Sequence, residues 1–210
     1  MTTTAAGGGG GALSVLARIR AERPAPSPYQ RCEMCAAPVP DEHGHVVDVA
    51  ARSLLCTCRP CYLLFTAQDA HLAYRAVPDR YLSLPDLPAP VWDALEVPVG
   101  TVFLFVNSAL DRVVAFYPGP AGATESELPL SAWQAVVDAA PALSGLRPDV
   151  EAVLLHTTDQ RTEAHLVPID VCYELVGHLR RLWHGFDGGQ EVRAQFADFF
   201  ARVRARSRPS

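Results

Sequence analysis

Five of the six cysteines of this 210-residue chain fall in two short stretches, RCEMC at Arg31–Cys35 and CTCRPC at Cys56–Cys61. They contain the pairs Cys32-x2-Cys35 and Cys58-x2-Cys61, with 22 residues between the pairs. A CxxC turn aims two thiolates at one point, and two such hooks make a closed tetrahedral site of four sulfurs. The expected metal ligands are Cys32, Cys35, Cys58 and Cys61, one ion per chain, with zinc as the expected metal and iron as the alternative, because a mononuclear rubredoxin-like iron takes the same four thiolates. Rubredoxin and zinc-ribbon knuckles usually carry glycine after the second cysteine, whereas this chain has Ala36 and Tyr62 there. Cys56 is a fifth thiol that four sulfurs leave without a place, and the sequence leaves it open as a supporting group, an alternative ligand or a core residue. His43 and His45 lie in the intervening segment, where solvated loop histidines are commoner than ligands.

Other groups carry weaker chemistry. Asp170, Glu174 and His178 recur at i, i+4 and i+8 and so share a helical face, an arrangement that can do acid–base work but arises more often from a solvated face with an acid near the helix start. Cys172 sits among Val171 and Leu175 and reads as core. GxSxG and HExxH are absent, and all 18 basic residues are arginine, which excludes phosphate-loop and Schiff-base lysines. The glycine run Gly7–Gly11 has no strand before it and reads as a tail. No catalytic residue is assigned, and the chain is not expected to be an enzyme.

A net charge of −5 leaves no basic footprint for nucleic acid. The longest apolar run, around Val97–Val106, is about half of a membrane span. The N-terminus has no positive segment before its apolar part, so it does not read as a secretory signal, and the expected location is cytoplasmic. In a reducing compartment, paired cysteines serve as ligands more often than as disulfides.

The elements that must position these groups follow from periodicity and breakers. Residues 1–28 read as a flexible tail, a short helix over Ala12–Arg23 and a proline-rich linker. Residues 29–70 form the four-cysteine metal-binding module, including a V-V-D-V strand-like run, and residues 71–210 form an α+β domain. In that domain short strands are expected within Tyr74–Leu84, followed by a proline-punctuated link. Hairpins are expected at Gly100–Val106 with Arg112–Tyr117 and at Val150–His156 with Glu163–Val167. Helices are expected over Leu130–Ala140, with Ser131 as N-cap, over Ile169–Trp183, with Val171, Leu175, Leu179 and Leu182 inward, and over Gln190–Arg204. The fold class is therefore α+β: a small zinc-ribbon or rubredoxin-like module followed by an antiparallel sheet, with helices packed on one of its faces.

From about Arg31 to Val203 the chain resembles an uncharacterised protein family of high-GC Gram-positive bacteria. The likeness is carried by CEMC with DEHGHVVD, LLCTCRPCYLLF, YRAVPDR, FYPGPAGATESEL, LVPIDVCYELVGHLRRLW and FDGGQEV. Members of that family are often encoded beside nickel–iron hydrogenase genes, so the resemblance implies a hydrogenase context and transfers no mechanism. The expectation is a metal-containing accessory or assembly protein acting by contact with a hydrogenase subunit or maturation protein, with Arg59 and Tyr62 exposed at the contact. The alternatives are a rubredoxin-like electron carrier and an enzyme with an unrecognised site in the α+β domain.

Overall fold

A computed structural model describes residues 30–67, 73–97, 99–119, 122–127, 130–158, 161–182 and 189–210. The expected helix at Ala12–Arg23 and the linker after it lie outside these residues. The cysteine module contains β1 (Gly44–Asp48), β2 (Ser53–Thr57) and a one-turn helix α1 (Arg59–Leu63). Strand β1 pairs antiparallel with both β2 and β3 (Tyr74–Ala76), giving a three-stranded sheet of order β2-β1-β3. Thus β3, in the segment assigned to the larger domain by its sequence, completes the module's sheet.

The larger sheet comprises β4 (Leu82–Leu87), β5 (Thr101–Asn107), β6 (Arg112–Gly119), β7 (Gly122–Glu127), β8 (Glu151–Thr157), β9 (Thr162–Pro168) and the two-residue β10 (Arg208–Pro209). Its order is β10-β4-β9-β8-β5-β6-β7. Every neighbouring pair is antiparallel except β10 with β4. The expected proline-punctuated link is instead the end of β4 followed by the short helix α2 (Ala89–Asp93), in which Pro90 occupies the first turn, where its missing N–H costs nothing.

Helices cover both faces of this sheet, not one. On one face Phe103, Phe105, Ala152, Leu154 and Val167 pack against α4 (Ile169–Leu182) and α5 (Gly189–Arg206). On the other, Val102, Leu104, Val153, Leu155 and Leu166 pack against α3 (Leu130–Ala139) and the 3-10 turn Pro141–Gly145. The TVFLFV run has no polar alternation because successive side chains of β5 enter two different cores. Ser131 lies inside the first turn of α3 and is not its N-cap. On α4 the buried stripe is Ile169, Cys172, Leu175 and Leu179, while Val171 is only half-buried at its edge. Cys172 is fully buried, and burial pushes its thiol well above the ordinary range, which makes it a core group and not a nucleophile.

The two sheets share one core. Val47 of β1 and Val77 join the cluster that holds Leu175 and Phe199. Two ion pairs fix β3 and the chain after it: Arg75 Nη1 of β3 on Asp149 Oδ2 at 2.7 Å, and Arg80 on Glu151 through Nε at 2.7 Å and Nη2 at 2.6 Å. The module is thereby held against the start of β8 and beside α4.

Candidate metal centre

The two CxxC hooks have different local structures. The first is a turn in which the Ala36 N–H donates to the Cys32 carbonyl at 2.8 Å and Ala36 takes φ 61°. That left-handed conformation is why glycine is usual after the second cysteine, and alanine holds it at a cost of about 1–2 kcal/mol. The second hook is a helix start. Cys58 is the N-cap of α1, Pro60 lies in the first turn, and the Tyr62 N–H returns to the Cys58 carbonyl at 2.9 Å. Tyr62 is helical and not left-handed, so glycine is not required there.

Glu33 joins the hooks. Its N–H donates to the Cys56 carbonyl at 2.9 Å, and its Oε2 accepts from the Cys56 N–H at 2.6 Å. On the far side the Tyr62 ring lies over Gly44 and its hydroxyl donates to the Val77 carbonyl at 2.8 Å, so the helical hook is tied to both β1 and the following chain.

As a result the sulfurs of Cys32, Cys35, Cys58 and Cys61 all lie within 4.8 Å of one another. Four points so spaced fall within about 2.9 Å of a common centre, and small shifts bring them to the 2.3 Å of a metal–thiolate bond. Cys35 Sγ and Cys58 Sγ are 3.6 Å apart, close to the roughly 3.8 Å edge of a tetrahedron with such arms. Burial pushes the Cys32 thiol up, but amides of Cys58, Cys35 and Met34 donating to its sulfur bring it down to about 6. The Cys61 thiol is pushed up to about 12, chiefly by hydrogen bonding to Cys58 and Cys35. Sulfurs this close do not all ionise unless a cation lies among them, so the donor set fits a metal ion. Soft thiolates suit zinc or iron, and the ion would lock both hooks and stabilise a segment with little core of its own.

The fifth thiol has different company. Cys56 lies opposite His45 in the β1–β2 register, and Cys56, His43 and His45 form a second group of potential ligands within 4.8 Å of one another. His45 Nδ1 meets Asp170 Oδ2 at 2.8 Å, across the seam between module and sheet domain. A cleft of about 1330 Å³ runs along that seam, lined among others by His43, His45, Tyr62, Asp170, Glu174 and His178. The three α4 residues therefore do share a face, but Asp170 is engaged with His45, and His178 Nδ1 stands 3.9 Å from Glu174 Oε1, beyond hydrogen-bond reach.

Tyr62 is half-buried by its packing on Gly44, so it is not the free exposed anchor expected from the sequence. Arg59 is exposed, with its guanidinium 5.6 Å from the Tyr62 ring centroid, and the exposed apolar groups beside it are Leu63 and Leu64. Glu33 and Gly44 act on the site without any motif to announce them, and Asp170, weighed in the sequence for acid–base work, instead supports His45. The His-x-His spacing of His45 in β1 and His43 just before it is a legible signal, because alternate residues of extended chain point to the same side.

The sequence pattern of the Family of unknown function (DUF5947) matches residues 31–207. The chain belongs to that family. The match spans both the cysteine module and the sheet domain, so the family unit includes the seam between them. No curated protein and no solved structure matches the chain. Among the described residues, no helix is long and apolar enough to cross a membrane.

Proposed function

We propose that this chain is a metal-containing accessory or assembly protein whose tetrathiolate centre stiffens a surface for a protein partner. The observation that carries this reading is the convergence of four sulfurs from two separate hooks within 4.8 Å, beside an exposed Leu63–Leu64 pair. An ion held there fixes α1, and a rigid helix presents apolar side chains at low ordering cost. The partner proposed is a nickel–iron hydrogenase subunit or maturation protein, as the family resemblance implies, and the compartment is the reducing cytoplasm in which free thiolates persist.

The test is a pull-down from cells that express the hydrogenase, comparing the wild-type chain with a Leu63→Glu, Leu64→Glu variant and with Cys35→Ser. Hydrogenase components should come down with wild type and be lost in both variants. Equal recovery by all three rejects the surface, and recovery by none, with full hydrogenase activity in a deletion strain, rejects the partner.

One observation favours a second reading, a rubredoxin-like electron carrier with a single iron. Cys35 is exposed and Cys58 and Cys61 are half-buried, so one edge of the centre lies near solvent, and amide donors to the sulfurs tune such a potential. Protein purified from its native host separates the two, since the ferric form is red and the zinc form colourless.

A further inference from the structure

The tautomers of two histidines define a second site. His43 Nδ1 lies 2.9 Å from the Pro40 carbonyl and 3.2 Å from the Asp41 carbonyl. A carbonyl only accepts, so Nδ1 carries the proton and Nε2 holds the lone pair. That Nε2 is buried and has no hydrogen-bond partner among the described residues. His45 donates its Nδ1 proton to Asp170 Oδ2 at 2.8 Å, which leaves its Nε2 as the lone-pair nitrogen as well. The two rings sit 4.7 Å apart, and one ring nitrogen of His43, one of His45 and the Cys56 sulfur lie within 4.8 Å of one another.

A buried nitrogen that could accept a bond and receives none keeps an uncompensated desolvation cost unless something occupies the position. Two imidazoles and a thiolate are the donors that first-row divalent cations of the zinc class take, and a carboxylate behind an imidazole is the usual outer partner of a metal-bound histidine. We infer that His43, His45 and Cys56 form a second metal site for a zinc-class divalent cation, oriented by Asp170.

Three donors leave one coordination position. Both imidazoles belong to residues that line the seam cleft, and a fourth position of this kind takes water or an incoming ligand. The site also joins two parts of the fold, because His43, His45 and Cys56 belong to the cysteine module while Asp170 belongs to the first turn of α4. Binding displaces the Cys56 thiol proton to solvent and leaves both imidazoles neutral, so one proton is released per ion. The site therefore differs from the tetrathiolate centre in donor set, in the number of protein donors and in its link to the sheet domain.

The experiment is anaerobic titration of the metal-free full chain with Co²⁺, read by visible absorption, with metal content measured after desalting. Wild type should take two ions per chain, and His43→Gln, His45→Gln and Cys56→Ser should each take one. Cys35→Ser should keep the second-site ion, so failure of the tetrathiolate reading and failure of this one are distinguishable. Asp170→Asn should keep both sites but weaken the second by about 10- to 100-fold. One ion per chain in wild type, unchanged in His45→Gln and Cys56→Ser, overturns the proposal. Loss of all metal in Cys56→Ser, with His43→Gln unchanged, also overturns it, by assigning Cys56 to the first centre.

Discussion

Replacing Gly44 by alanine should weaken the tetrathiolate centre although residue 44 holds no metal. A Cβ at this position would stand 2.6 Å from Tyr62 Cδ2 and 2.9 Å from its Cγ. Carbon pairs settle at about 3.5–4.0 Å, so the ring must retreat by roughly 1 Å. It cannot do so freely, because its hydroxyl is bonded to the Val77 carbonyl at 2.8 Å and its backbone adjoins Cys61. Overpacking of this kind costs about 1–3 kcal/mol, and loss of the hydroxyl bond adds about 1 kcal/mol. In a small thiolate module, binding and ordering are one event, so the strain appears as lost affinity. The expected loss is about 30- to 700-fold at 1.4 kcal/mol per decade. The assay is competition against a chelator of known affinity, in a Cys56→Ser background so that a single centre is read. Tyr62→Phe, which removes only the hydroxyl, should lose about fivefold. An affinity for Gly44→Ala within threefold of its parent would refute the claim that the Gly44–Tyr62 contact positions the second hook.

Ala36→Gly should tighten metal binding by about threefold, since glycine relieves the left-handed strain at φ 61° while adding some entropy to the unfolded chain; weaker binding in the same chelator competition contradicts this. Glu151→Gln should destabilise the fold by about 2–4 kcal/mol in urea unfolding, because Glu151 is fully buried and Arg80 would keep a charge without its bidentate partner. Burial holds the His156 and His165 imidazoles below their ordinary value against the opposing pull of Glu163, so the unfolded chain takes up protons first as pH falls. Their contribution to stability is thus present above about pH 6.5 and is lost as pH falls from there through the folded-state values. Urea midpoints at pH 8 and pH 5.5 should converge in His165→Gln relative to wild type, and an unchanged gap contradicts the assignment.

The parts of this architecture that were legible in the sequence are those set by local spacing. Each CxxC hook is a four-residue unit, and the hairpin of β8 with β9 brings two β-rich runs together across a short turn. The number of layers was not legible in the same way. An apolar run such as TVFLFV marks a strand but does not say whether one or two helical layers cover it, and here both faces are buried. Strand β7, GATESE, escaped because its exposed polar residues carry no alternation to read. The partner behind the second ligand group was not legible at all: His45 and Asp170 are 125 residues apart, and only docking of the module on α4 brings them to 2.8 Å. Cys56 was visible as a surplus thiol, but its role depends on a cross-strand register that pairs it with His45. The expected exposure of Tyr62 failed because the ring finds a glycine surface across the module, a contact that no local pattern encodes.

The central claim is that Cys32, Cys35, Cys58 and Cys61 hold one ion among them. Metal-edge X-ray absorption on the Cys56→Ser variant loaded with a single equivalent of zinc tests it directly, because that variant removes the competing thiol and leaves these four in place. The account predicts a shell of four sulfurs at about 2.3 Å with no nitrogen or oxygen in it. A mixed shell of nitrogen and sulfur, or a variant that retains no zinc, would contradict it.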